Sequence, residues 1–90
     1  MTRVPLDRFL RFPELTDVLH AMADEHPDLL ELSEVGRSHE GREIWLCTVT
    51  NQATGPSSEK PAIWIDANIH ATELTGSTAA LHLVDRLVGE

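Results

Sequence analysis

The stretch Lys60-Pro61-Ala62-Ile63-Trp64-Ile65-Asp66-Ala67-Asn68-Ile69-His70-Ala71-Thr72-Glu73 constrains this chain more than any other. Ala62 to Ile65 is a continuous apolar run opened by Pro61 and bounded by turn residues. Proline is tolerated at the first residue of a strand, and a short unbroken apolar run is the pattern of a central strand buried on both faces. The run breaks after Asp66. His70 and Glu73 then stand three residues apart, where a long helix is predicted to begin. Open α/β sheets place their ligands at such carboxyl ends of strands.

Upstream, the periodicity predicts a helix from about Pro13 to Glu25. Leu15, Val18, Leu19 and Met22 follow the i, i+3, i+4, i+7 rule and make one buried stripe. Pro13 suits a first helical position, and Glu14 and Asp17 favour the positive end of the dipole. His26-Pro27-Asp28 stops the helix, because a residue before proline avoids the α region. Leu29 to Val35 reads as a short strand. Gly36 to Gly41 is a polar turn whose two glycines supply backbone freedom. Glu43 to Thr50 is a clearer strand, apolar on both faces and therefore expected to be covered on both sides. Asn51 to Glu59, with Gly55-Pro56, is a loop of a length that suits a connection between neighbouring antiparallel strands.

The second helix is predicted from about Glu73 to Val88. Its Leu74, Leu81, Leu83, Val84, Leu87 and Val88 spread around more than one stripe, so it wants cover on several sides. A chain of 90 residues buries only about 60–65% of the surface its unfolded form exposes. The expectation is a piece of a larger α/β domain that continues beyond Glu90.

Composition narrows the partners. Seven basic and fifteen acidic residues give a formal charge of −8. Glu14, Asp17, Asp24, Glu25, Asp28, Glu31 and Glu34 follow one another with no Lys or Arg between them, and read as a solvated acidic face. Such a surface repels phosphate backbones and anionic membranes, which argues against nucleic-acid and membrane partners. A single cysteine, Cys47, forms no internal disulfide and reads as a small buried hydrophobe. The start, Met1 to Arg8, has no apolar core of signal-peptide length, and no run approaches the ~20 residues that span a bilayer. A cytoplasmic protein is the default expectation.

Zinc prefers imidazole nitrogen, thiolate and carboxylate oxygen, and a catalytic site keeps three protein ligands and one open position. His70 and Glu73 are candidate metal ligands because a strand-to-helix corner can turn both to one side. Alone, His-x-x-Glu is a weak signal. The competing reading is a histidine that caps a turn and a glutamate that stabilises a helix N-terminus. His82 and Asp85 form a similar pair about 13 Å along the helix from Glu73, too far to share a metal with His70. His20 and Asp24 are four apart on the first helix, where a solvated or locally paired histidine is the ordinary reading.

The segments read together resemble a known family. His26-Pro27-Asp28-Leu29, then Val35-Gly36-Arg37-Ser38-His39-Glu40-Gly41-Arg42-Glu43-Ile44-Trp45, then the Lys60 to Glu73 stretch resemble in order and spacing the start of the catalytic domain of the zinc carboxypeptidases, the carboxypeptidase A-like metallopeptidases. The resemblance runs from about Arg8 to Val88. It implies a Zn2+ cofactor with His70 and Glu73 as its first two ligands. It also implies that the third ligand histidine, the general-base glutamate and the substrate-binding arginines and tyrosine lie beyond Glu90. Thr72 stands where the digestive members have an arginine that lines the substrate cleft. The implied fold is α/β: the N-terminal portion of a mixed twisted β-sheet with helices on both faces, an α/β/α sandwich. Arg42 is expected to pair with a buried carboxylate, with Asp66 a possible partner for it or for a ligand histidine. The implied activity is removal of C-terminal residues from peptides or proteins, with residues 1–90 an N-terminal fragment of one catalytic domain and inactive alone. The alternatives are a zinc-dependent amide hydrolase or deacylase on the same scaffold, and a non-catalytic truncated product.

Overall fold

Helix α1 spans Phe12–Glu25 in the computed structural model, which describes residues 4–5 and 7–89. Met1–Arg3, Leu6 and Glu90 lie outside the described residues, and with them part of the stretch read above for a leader. Pro13 sits in the first turn, and the backbone N–H of Arg11 donates to Glu14 Oε1 at 3.4 Å. Arg8 donates to the other Glu14 oxygen at 2.9 Å, and that bond holds the Glu14 carboxyl below the ordinary range. Both groups face water, where such a pair adds little. The helix stops at His26, ahead of Pro27, and His26 O then accepts from Leu29 N and Leu30 N.

Strands β1 (Leu30–Arg37) and β2 (Glu43–Val49) pair antiparallel, with Leu30 opposite Val49, Leu32 opposite Cys47 and Arg37 opposite Glu43. A bulge between Glu34 and Gly36 shifts the register. The hairpin closes through Gly41 N donating to Ser38 O at 2.9 Å and Ser38 N donating to Arg42 O at 2.8 Å. Gly41 has φ +83, whereas Gly36 does not enter the positive region. The freedom expected of both glycines is therefore used by one. Gly41→Ala is expected to cost about 1–2 kcal/mol, the penalty of a side chain in the left-handed region. Gly36→Ala is expected to stay within about 0.5 kcal/mol, with open space around it. Urea unfolding midpoints check the pair.

Arg42 departs from expectation. It pairs with the exposed Glu40, and its guanidinium stands 6.0 Å over the Phe12 ring. A turn carboxylate two residues away is a nearer partner than Asp66.

The core gathers Leu19 and Met22 of α1, Leu30 of β1, Leu81 and Val88 of α2 (Leu74–Gly89), and Val4. Leu32, Trp45, Cys47 and Val49 pack against it, so both helices meet the hairpin through one face. Trp45 Nε1 donates to Thr16 Oγ1 at 3.0 Å, and the His20 ring meets Trp45 edge-on at 5.1 Å. Burial pushes the Cys47 thiol up, in keeping with a small apolar role. The far face of β2 is less covered than its sequence implies: Ile44 is half exposed, and neither Ile44 nor Leu46 joins the core.

The largest departure is the apolar run. Residues 61–68 form neither strand nor helix, and Ile63 is 89% exposed. A strand exists only by exchanging backbone hydrogen bonds, and residues 61–68 make none with other described backbone groups. The preceding loop also differs from a simple strand connection. It folds into two 3₁₀ turns, Gln52–Thr54 and Ser57–Glu59. Lys60 Nζ ties this loop together by donating to Thr50 Oγ1, Asn51 O and Thr54 Oγ1. Three N–H donors thus meet three neutral acceptors. Among the described residues, no helix is long and apolar enough to cross a membrane.

Candidate metal centre

Asn68 lies between the apolar run and α2. Its φ of +64 lies in the left-handed region, which Asn tolerates better than most residues. Its side chain then bonds in two directions. Nδ2 donates to the carbonyl of His70 at 2.7 Å, and Oδ1 accepts from Ser77 Oγ at 3.0 Å. Ser77 lies in the first turns of α2, so one amide fixes both the corner and the helix that follows.

Within that corner His70 and Glu73 meet. Glu73 N donates to His70 O at 3.0 Å, closing a turn immediately before Leu74 opens α2. The Glu73 carboxylate reaches back with both oxygens. Oε1 accepts from His70 N at 3.3 Å, and Oε2 lies 2.6 Å from His70 Nδ1. A carboxylate oxygen only accepts, so Nδ1 carries the hydrogen in this contact. The imidazole is 75% and the carboxylate 49% exposed, leaving both reachable from solvent. The capping reading is met in part: Glu73 does cap, but its side chain caps the His70 turn.

The donor set fits a divalent metal of zinc type, with one imidazole nitrogen and one carboxylate oxygen facing each other. It offers two candidate donors. Among the described residues, no group of three His, Cys, Asp or Glu side chains comes together.

The other candidates stand apart from the corner. Asp66 Oδ2 accepts from Trp64 Nε1 at 3.0 Å and supports neither Arg42 nor His70. His82 Nε2 is buried without a hydrogen-bond partner, and the helix carries it away from the corner. His20 is engaged with Trp45. Asn68 and Ser77 are positioning residues that sequence reading missed. The available signal was an asparagine, a residue fitted to a left-handed turn, between an apolar run and a helix.

Comparison with known proteins covers the same ground. The zinc carboxypeptidase family model matches residues 15–90. Bovine carboxypeptidase A1 is 43% identical over 60 residues, which is 67% of this chain and 13% of that protein. A zinc carboxypeptidase of Saccharothrix mutabilis subsp. capreolus is 32% identical over 62 residues, 69% of this chain and 14% of its own length. Carboxypeptidase B of Astacus astacus is 30% identical over 77 residues, 86% of this chain and 24% of that protein. The chain therefore spans between about an eighth and a quarter of the length of these relatives. With the family match reaching from α1 through the His70–Glu73 corner to the end of α2, the chain belongs to the zinc carboxypeptidase family.

Proposed function

We propose that residues 1–90 form the N-terminal part of a single catalytic domain of a zinc metallocarboxypeptidase, and that His70 and Glu73 are two of its zinc ligands. The observation that supports the reading is that the His70 and Glu73 side chains meet at one corner inside the family match, where a bound metal would replace the hydrogen that Nδ1 shares with Oε2. The substrate class is the C-terminus of a peptide or protein, in keeping with relatives named carboxypeptidases. The full domain is an α/β/α sandwich to which this hairpin and these helices contribute.

The chain's own residues do three things in this scheme. His70 and Glu73 present a nitrogen and an oxygen to the metal. Asn68 holds the His70 carbonyl and so fixes the backbone from which the ring projects. Ser77 ties Asn68 to α2, whose N-terminal end favours the negative charge of Glu73. Zinc, when bound, supplies Lewis acidity and lowers the pKa of its water.

Two ligands fall short of the three that catalytic zinc sites use. The 90-residue chain is therefore expected to release no C-terminal amino acid from a peptide, with or without added zinc. Release by the purified chain, abolished by chelator, would overturn the two-ligand reading. Metal binding has its own readout. In a zinc titration followed by histidine-ring NMR, the His70 signal should move before those of His20, His26, His39 and His82. Glu73→Gln should shift that response to at least about tenfold higher zinc, the scale on which support for a metal site acts. Earlier movement of another histidine would count against the assignment.

A further inference from the structure

Gly76 stands inside α2, in the turn that follows Leu74. Glycine weakens a helix interior relative to alanine, because it gives up more backbone freedom on folding. The backbone does not ask for glycine here: Gly41 and Gly55 have positive φ, and Gly76 does not. The surroundings do set a limit. A Cβ at Gly76 would lie 3.5 Å from Ala67 Cβ, 3.6 Å from Asn68 N and 4.0 Å from Ala67 Cα, whereas the other glycines meet nothing within 4 Å. The gap between α2 and the backbone at Ala67–Asn68 is therefore one methyl wide.

We propose that Gly76 is a positioning residue for the metal corner. Its bare Cα lets α2 lie against Ala67 and Asn68, and so fixes where the corner sits on the helix. The inference rests on the reading of His70 and Glu73 as zinc ligands.

Three hydrogen bonds connect the gap to the two ligands. Gly76 N donates to Glu73 O at 3.2 Å, so Gly76 and one ligand share a turn. Ser77, the next residue, donates through Oγ to Asn68 Oδ1 at 3.0 Å. Asn68 Nδ2 in turn donates to His70 O at 2.7 Å. Adjacent residues of α2 thus hold adjacent residues of the corner, Gly76 by close approach to Ala67 and Ser77 by its bond to Asn68. A non-glycine residue in the left-handed region persists only where its surroundings hold it there, and Asn68 has φ +64. A wider gap at Gly76 would stretch the Ser77–Asn68 bond, which weakens with distance and misalignment. Asn68 would then no longer fix the His70 backbone relative to Glu73.

The variable is side-chain size at position 76. Alanine fills the gap at ordinary contact distance. Valine adds two γ carbons to a Cβ that already touches, and crowding within a helix leaves it one main rotamer, so the corner must move. Both are better helix formers than glycine, so a corner disturbed in Gly76→Val does not trace to a weaker helix. Ala67→Gly removes the facing methyl and makes room again.

The test follows the Asn68 side-chain amide and the His70 ring of the 90-residue chain by NMR, first without metal and then through a zinc titration. Circular dichroism checks that the helices persist in each variant. Without metal, Gly76→Ala should leave both signals near their parent positions, and Gly76→Val should displace both. Gly76→Val combined with Ala67→Gly should return them toward the parent. In the titration, Gly76→Ala should respond within about twofold of the parent's zinc concentration. Gly76→Val should need at least about tenfold more, the scale on which support for a metal site acts. Adding Ala67→Gly should recover most of that loss, the non-additivity expected of residues in contact. Undisplaced Asn68 and His70 signals in metal-free Gly76→Val would overturn the proposal. So would a double variant as impaired as Gly76→Val alone. A parent chain whose His70 ring ignores zinc would overturn the ligand reading instead, and the metal-free spectra would still decide whether Gly76 positions the corner.

Discussion

Met22→Ala is expected to lower stability by about 2–5 kcal/mol, the cost of emptying a well-packed core site. Met22 is 1% exposed and lies where α1 closes onto the hairpin. Small domains have only about 5–15 kcal/mol in hand, and a chain of this size sits toward the low end. The substitution should thus leave a measurable unfolded fraction at room temperature. Met22→Leu, which keeps the volume, should cost less than about 1.5 kcal/mol. The informative contrast is Ile63→Ala. It deletes a comparable apolar side chain from the run that the sequence marks as buried, yet should change stability by no more than about 0.5 kcal/mol, because the residue faces water. Urea denaturation of dilute samples, far from any self-association, measures all three. An Ile63→Ala cost close to that of Met22→Ala would restore the run to the core.

The second large effect belongs to the corner. In a protein carrying the whole catalytic domain, His70→Ala is expected to lower zinc affinity by more than about 100-fold, beyond what loss of a supporting partner costs. Asn68 separates ligation from positioning. Asn68→Gly keeps access to the left-handed backbone but drops both side-chain bonds, and should cost about 10–100-fold in zinc affinity. Asn68→Ala adds backbone strain of about 1–2 kcal/mol and should cost more than the glycine variant. Competition with a fluorescent zinc chelator gives the affinities. Equal effects of the alanine and glycine variants would show that the φ of Asn68 does not matter to the site.

These contrasts reflect what a sequence can and cannot carry. α1 was legible because its signals are local: a stripe at helical spacing, Pro13 in the first turn and a proline after His26. The hairpin was legible because alternation and a glycine-closed turn fix both strands and their order. The His70–Glu73 pair was legible as a spacing, since three residues across a tight turn bring two side chains together whatever lies around them. The apolar run failed for the complementary reason. Whether Ala62 to Ile65 is a strand depends on a neighbour that exchanges hydrogen bonds with it, and nothing inside the run encodes that neighbour. Arg42 failed similarly: its choice between Glu40 and Asp66 is settled by chain geometry that residue types do not specify. Asn68 was overlooked because its role is carried by a backbone angle and two hydrogen bonds, each invisible in a list of metal-ligating residues.

The Asn68–Ser77 bond has one more consequence. Because one amide spans the corner and the start of α2, the two should open together as a single local unfolding event. A metal held only in the closed form would stabilise that unit by mass action. The amides of residues 74–78 would then exchange with deuterium more slowly as zinc rises, while those near Val88 would keep their rates. In hydrogen exchange, the first turn of α2 would serve as the built-in reporter of occupancy at the corner.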